Sequence, residues 1–142
     1  MKKQLIILVA SICILTATLS GCQQSNSTIV TQNDKVLLQS DIVELSTVNF
    51  SKTLDKEGKI TSVTVKWLFH NIAERLINAD ILVQFSDTNG NIIFSDTREL
   101  LNVPAGYTER YISPGANTVM YDGKDAGSID HVIITVTEKI MP

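Results

Sequence analysis

The chain has 142 residues, 12 of them basic and 15 acidic, with two cysteines and a net charge of −3. That acidic balance, with no basic cluster anywhere, argues against nucleic acid or an anionic lipid surface as a partner. Both cysteines, Cys13 and Cys22, fall in the first 22 residues, so nothing after Cys22 can form a disulfide, a zinc–thiolate site, a redox pair or a cysteine nucleophile.

The chain opens with Lys2 and Lys3, continues through an apolar run from Leu5 to Leu15 and closes on Leu19-Ser20-Gly21-Cys22. A basic start, a short apolar core and a small-residue end are the three parts of a secretory leader. The apolar run is about half of the ~20 residues that a spanning helix needs. Leu19-Ser20-Gly21-Cys22 resembles a bacterial lipobox, which implies cleavage after Gly21 and lipidation of Cys22 by diacylglyceryl and acyl (palmitate-type) chains. Removal of residues 1–21 leaves 121 residues and, with Lys2 and Lys3 gone, a net charge of −5. Two or more chains hold a protein to a bilayer stably where one does not. The expected location is therefore the cell membrane or the outer membrane, facing periplasm or exterior.

Residues 22–34, rich in Gln, Ser, Asn and Thr, read as the lipidated cysteine and a flexible tether. Residues 35–142 read as one domain. Val36–Gln39 and Asp41–Phe50 are strand-like, and Asp55-Lys56-Glu57-Gly58-Lys59 is turn chemistry. The clearest alternation follows: Thr61, Val63, Val65, Trp67 and Phe69 on one face, Ser62, Thr64 and Lys66 on the other. Period two with β-branched residues predicts a half-buried strand with Trp67 between sheets. Residues 72–78 are too short for an independent helix and read as a connection.

Ala79–Ser86 is the next predicted strand, with Ala79, Ile81, Val83 and Phe85 on one face. Asn89-Gly90 before Ile92-Ile93-Phe94 predicts a hairpin with a type I′ turn. Pro104-Ala105-Gly106 breaks the chain, Tyr107–Ser113 alternates, residues 115–128 read as a long loop around Val119-Met120-Tyr121, and Ile129–Glu138 is the last strand. Short strands with frequent turns predict an all-β, immunoglobulin-like β-sandwich of about seven strands.

The order of features resembles the FxLYD-type immunoglobulin-like domain of bacterial envelope proteins over about residues 60–138. His70-Asn71 closes one strand, Phe85-Ser86-Asp87-Thr88-Asn89-Gly90 forms the aromatic hairpin motif, and Leu100-Leu101 leads to Pro104-Ala105-Gly106, wider by one residue than the usual Pro-Gly. The resemblance implies a sandwich and no catalytic set, since fold alone does not specify activity.

Candidate chemistry is sparse. Asp87, Asn89 and Asn91 have the opening spacing of a calcium loop, but Ile92 and Arg98 stand where an EF-hand needs Gly and Glu. Asp122, Asp125 and Asp130 form a second acidic stretch, where ordinary turn aspartates are the simpler account. His70 and His131 have no companion ligand or nucleophile at a recognisable spacing, and neither a Gly-x-Ser-x-Gly elbow nor a phosphate loop occurs. The expectation is a non-enzyme without cofactor or metal that binds an envelope protein, with Tyr107, Tyr111, Tyr121 and Arg110 as candidate contacts. Inward packing of Tyr107 and Tyr111 on one strand face is the competing expectation, and strand addition at an open edge is a second possible mode of contact. An ion or small ligand in the 115–128 loop is the alternative function.

Overall fold

The computed structural model describes residues 27–109 and 115–139. Its eight strands are β1 (Thr28–Thr31), β2 (Val36–Gln39), β3 (Val43–Leu54), β4 (Ile60–Asn71), β5 (Ile77–Ser86), β6 (Ile92–Val103), β7 (Thr118–Tyr121) and β8 (His131–Glu138). They form two four-stranded sheets, in the orders β1-β3-β4-β7 and β2-β8-β5-β6. The result is the all-β sandwich expected, with eight strands rather than about seven. Short β2 runs parallel to β8, and every other pairing is antiparallel. The two layers match the sandwich architecture of immunoglobulin-like domains, with β3–β4 and β5–β6 each forming a hairpin within its own sheet.

Alternation builds the core. Val63, Val65, Trp67 and Phe69 of β4 are buried, facing Ala79, Ile81, Val83 and Phe85 of β5 and Val132, Ile134 and Val136 of β8 across the sandwich. Each fully buried aliphatic or aromatic side chain contributes about 1.5–3 kcal/mol relative to exposure. An aromatic row crosses between the sheets. Phe50 of β3 lies 6.4 Å from Phe85, Phe85 lies 6.0 Å from Phe94 of β6, and Phe94 lies 4.9 Å from Tyr121 of β7.

The two hairpins share one design. In each, a Gly amide donates to the carbonyl of the Asp three residues back (Gly58 to Asp55, Gly90 to Asp87), and the glycine has positive φ, +78° and +83°. The carboxylate of that Asp accepts the amides two and four residues on: Glu57 and Lys59 for Asp55, Asn89 and Asn91 for Asp87. Asn89 does not have positive φ, so the second hairpin closes through a three-residue loop with glycine in the left-handed position and not through a type I′ turn. The Asp87-x-Asn-x-Asn spacing therefore serves the turn.

Three stretches differ from the sequence expectation. β1 lies inside the segment read as tether, held by pairing Thr28–Thr31 with Leu54–Ser51 while its side chains stay exposed. β7 lies inside the segment read as a loop and pairs with Val63–Lys66 of β4. β6 runs unbroken for 12 residues, where only Ile92–Phe94 announces a strand.

Candidate functional site

Register divides the molecule into two ends. Thr28 pairs with Leu54, beside the 55–59 turn, and the 87–91 turn lies at this same end. At the other end β4 finishes at Asn71, β6 finishes at Val103, and the 72–76 connection and the Pro104 turn meet.

Asn71 fastens this second end. It is fully buried; its side-chain amide donates to the carbonyls of Arg75 (2.8 Å) and Val103 (2.9 Å), and its side-chain oxygen accepts the Ala73 amide (2.8 Å). Its backbone amide donates to the Tyr107 carbonyl, and its carbonyl accepts the Gly106 amide. The Pro104–Tyr107 turn puts Gly106 at φ +73° in its third position, the geometry that a type II turn requires of glycine. One side chain thus joins the last turn of β4 to both connections around it.

Beyond the turn, Thr108 pairs with His70, and the His70 ring nitrogen Nδ1 lies 3.1 Å from the Thr108 hydroxyl. The Glu109 amide donates to the Phe69 carbonyl. Since side chains alternate along extended chain, Tyr107 and Glu109 turn to the opposite side from Thr108. There they meet the end of β6, where a bulge interrupts the pairing between Ile77/Val103 and Ala79/Leu100. Asn102 takes φ +53° in this bulge, its amide donating to the Asn78 side chain, and both Leu101 and Asn102 are left facing outward. Leu101, Val103, Pro104, Tyr107, Thr108 and Glu109 line a groove of about 330 Å³. Tyr107 is 58% exposed and Leu101 49%, an open apolar rim.

Glu109 is the group with unusual chemistry. Its Oε2 is covered and has no hydrogen-bond partner among the described residues. Burial pushes the carboxyl up to about 7 from the ordinary 4.5, opposed only in part by the Phe69 backbone. A carboxyl whose folded-state pKa is raised stabilises the fold fully below its unfolded value, near 4.5, and that stability is lost as pH rises through about 7. After allowance for partial solvent exposure the loss is about 1 kcal/mol. Thermal melts from pH 5 to pH 8 are expected to show wild type losing a few degrees relative to Glu109→Gln; parallel curves would refute the shift.

The structure describes two of the residues singled out from sequence; Tyr107 lines the groove and Tyr121 does not. Tyr107 lies on the side that alternation assigns, yet it is exposed because β6 has already ended opposite it. Tyr121 is half-buried and stacks on Phe94, and its ring passes so close to Gly123 that a Cβ there would sit 2.1 Å from the Tyr121 hydroxyl. Arg110, Tyr111 and the lipidation candidate Cys22 lie outside the described residues. Glu109 was missed as a site residue, its one sequence signal being that it shares the parity of Tyr107 in a stretch flanked by apolar residues.

The remaining candidates are accounted for locally. His131 lies beside Asp130, whose carboxylate is held below its ordinary range by a hydrogen bond from Lys35. Ala126–Ser128 is a 3-10 turn, and among the described residues no group of three or more His, Asp or Glu side chains gathers to hold a metal ion. At the outer edge of β6 the Thr97 amide donates to the Asp96 carboxylate and the Thr97 carbonyl accepts from Arg98. These side chains occupy the two Thr97 backbone groups at that edge, and inward-facing charge on an edge strand discourages pairing there.

No family model matches the chain, and no curated protein matches it. Among solved structures, "Crystal structure of Campylobacter jejuni cj0090" matches at 15% identity and a TM-score of 0.39, covering 75% of this chain and 100% of that one.

Proposed function

We propose that this is a lipid-anchored, non-catalytic accessory protein of the cell envelope that binds another envelope protein through the end of the sandwich carrying Tyr107. The anchor rests on Leu19-Ser20-Gly21-Cys22. Among the described residues no helix is long and apolar enough to cross a membrane.

The observation that carries the reading is the opposition of the two ends. β1 begins at Thr28, six residues after Cys22, beside the 55–59 turn, whereas the Tyr107 groove lies beyond Asn71 at the far end of the 12-residue β4. Six residues span at most about 20 Å, while a 12-residue strand is about 35–40 Å long. A lipid on Cys22 would hold the Thr28 end near the bilayer and present the groove away from it. The exposed tyrosine, the apolar rim and the rigid turn beneath them have the composition of a protein-binding surface.

Cell fractionation tests the anchor and cross-linking tests the surface. Cys22→Ser is expected to move the protein from the membrane pellet to the soluble fraction. A photo-cross-linking amino acid at exposed Ala105 is expected to capture a defined envelope protein, whereas the same group at Lys56 in the opposite turn is not. Retention of the Cys22→Ser protein in the pellet would remove the anchor, and equal labelling from both positions would remove the surface.

A further inference from the structure

We propose that β1 is a releasable strap: it opens from the edge of its sheet while the sandwich stays folded, and its release lets the domain stand farther from the bilayer. This deepens the anchored reading and rests on it. All four side chains of Thr28–Thr31 are exposed, Ile29 at 67% and Val30 at 40%, and none belongs to the buried core. Pairing with Ser51–Leu54 is what holds the strand at the end of its sheet. The Gln32 amide donates to the Phe50 carbonyl at 2.7 Å, which fixes the phase of the ladder. Opposed residues alternate between bonded and non-bonded pairs, so Val30 exchanges bonds with Lys52 and Thr28 with Leu54, while Ile29 and Thr31 aim their backbone groups outward. These few bonds lie at an edge open to water, where each contributes little net stability. Ordering each residue costs backbone entropy of similar size, and no buried apolar side chain offsets it. Opening is therefore local, at the low-stability margin of the fold.

The residues after β1 set where the opening stops. Besides the Gln32 bond, the Asn33 side-chain oxygen accepts the Phe50 amide at 3.0 Å, and the Lys35 ammonium meets the Asp130 carboxylate at 3.2 Å. Phe50 is fully buried, so this clasp belongs to the core. With β1 paired, Thr28 stands six residues after Cys22, a reach of at most about 20 Å. With β1 released, the first fastened residue is Gln32, ten residues after Cys22, and the reach grows to about 35 Å. The Tyr107 end gains that height, and with it the freedom to meet a partner at different distances from the membrane.

Hydrogen exchange on the lipidated chain in phosphatidylcholine vesicles tests the strap. The Val30 and Lys52 amides bond across the same pair, so they should show matched protection, about 100-fold or more below that of Val83 on β5, which is paired along both edges. Protection of Val30 equal to that of Val83 would overturn the proposal, as would an open Val30 beside a protected Lys52. A lock supplies the second measurement. Ile29→Cys with Thr53→Cys places a disulfide across a non-bonded pair, whose close Cα spacing suits the link, in a chain with no other cysteine after Cys22. With a donor dye on a non-canonical residue at position 105 and acceptor-labelled lipid in the vesicle, oxidation is expected to raise energy transfer to the bilayer and reduction to reverse it. Transfer unchanged by oxidation would overturn the gain in height. The anchor fails separately: Cys22→Ser protein that stayed in the membrane pellet would remove the anchor and the height with it, whereas a protected Val30 would remove the strap and leave the anchor.

Discussion

Replacing Asn71 by aspartate is expected to destabilise the domain by about 3 kcal/mol, a large share of the roughly 5–15 kcal/mol that holds a domain folded. The change leaves shape almost untouched and reverses the chemistry. The Asn71 side-chain amide supplies both donors that satisfy the Arg75 and Val103 carbonyls, and its oxygen accepts from Ala73. An ionised carboxylate keeps the Ala73 bond but sets an anion against two carbonyl oxygens at a position with no solvent exposure. Protonation restores one donor at most. The deficit should therefore shrink toward low pH, unlike that of Asn71→Ala, which has no proton to gain. Urea unfolding should show a lower midpoint with an unchanged slope. A loss below about 1 kcal/mol would mean that the two connections are held by something other than this side chain.

The elements legible in the sequence are those in which burial and alternation coincide. β4 announces itself because Val63, Val65, Trp67 and Phe69 all face the core, and β5 does so through Ala79, Ile81, Val83 and Phe85. β1 leaves no such trace: its four residues are exposed, and its place is set by backbone pairing alone. β7 is only four residues long, with Val119 its one buried side chain. β6 was legible only in part because its inner face carries Asp96 and Arg98, charges that neutralise each other beside the open edge, and because the bulge at Leu101-Asn102 breaks the period just before the strand ends. Turn residues marked where chain reversals fall but not their type, since Asn-Gly also suits a turn in which glycine alone needs positive φ.

The site was less legible than the fold for a related reason. A groove belongs to segments distant in sequence, and Leu101 meets Glu109 only because a bulge turns one outward while pairing with Phe69 fixes the other. Tyrosines attract attention by type, and that criterion cannot separate Tyr107, which is exposed, from Tyr121, which closes the sandwich against Phe94. Asn71 was visible as the residue that ends a strand. Its use of both side-chain donors on two different connections is a property of the assembled turns.

Truncation of Phe85 to alanine is expected to cost about 3–5 kcal/mol, toward the upper end for a single core position. Phe85 is fully buried on a central strand and lies between Phe50 of the facing sheet and Phe94 of its own, while Phe94 in turn supports Tyr121 of the facing sheet. Removal leaves a cavity that neighbouring strands cannot close, because β5 is paired along both edges. It also unseats Phe94, so the contact by which Tyr121 spans the open side loosens as well. Phe85→Leu keeps most of the volume and should cost much less, about 1–2 kcal/mol. A double-mutant cycle with Phe50→Leu should return a coupling of about 0.5–1.5 kcal/mol, the part due to ring packing. Tyr121→Phe preserves the stack and should be nearly silent, whereas Tyr121→Ala should lower the melting temperature without reducing cross-linking from Ala105. If Tyr121→Ala instead abolished cross-linking while leaving stability untouched, Tyr121 would be a contact residue after all, and the aromatic row would not be what closes the sandwich on that side.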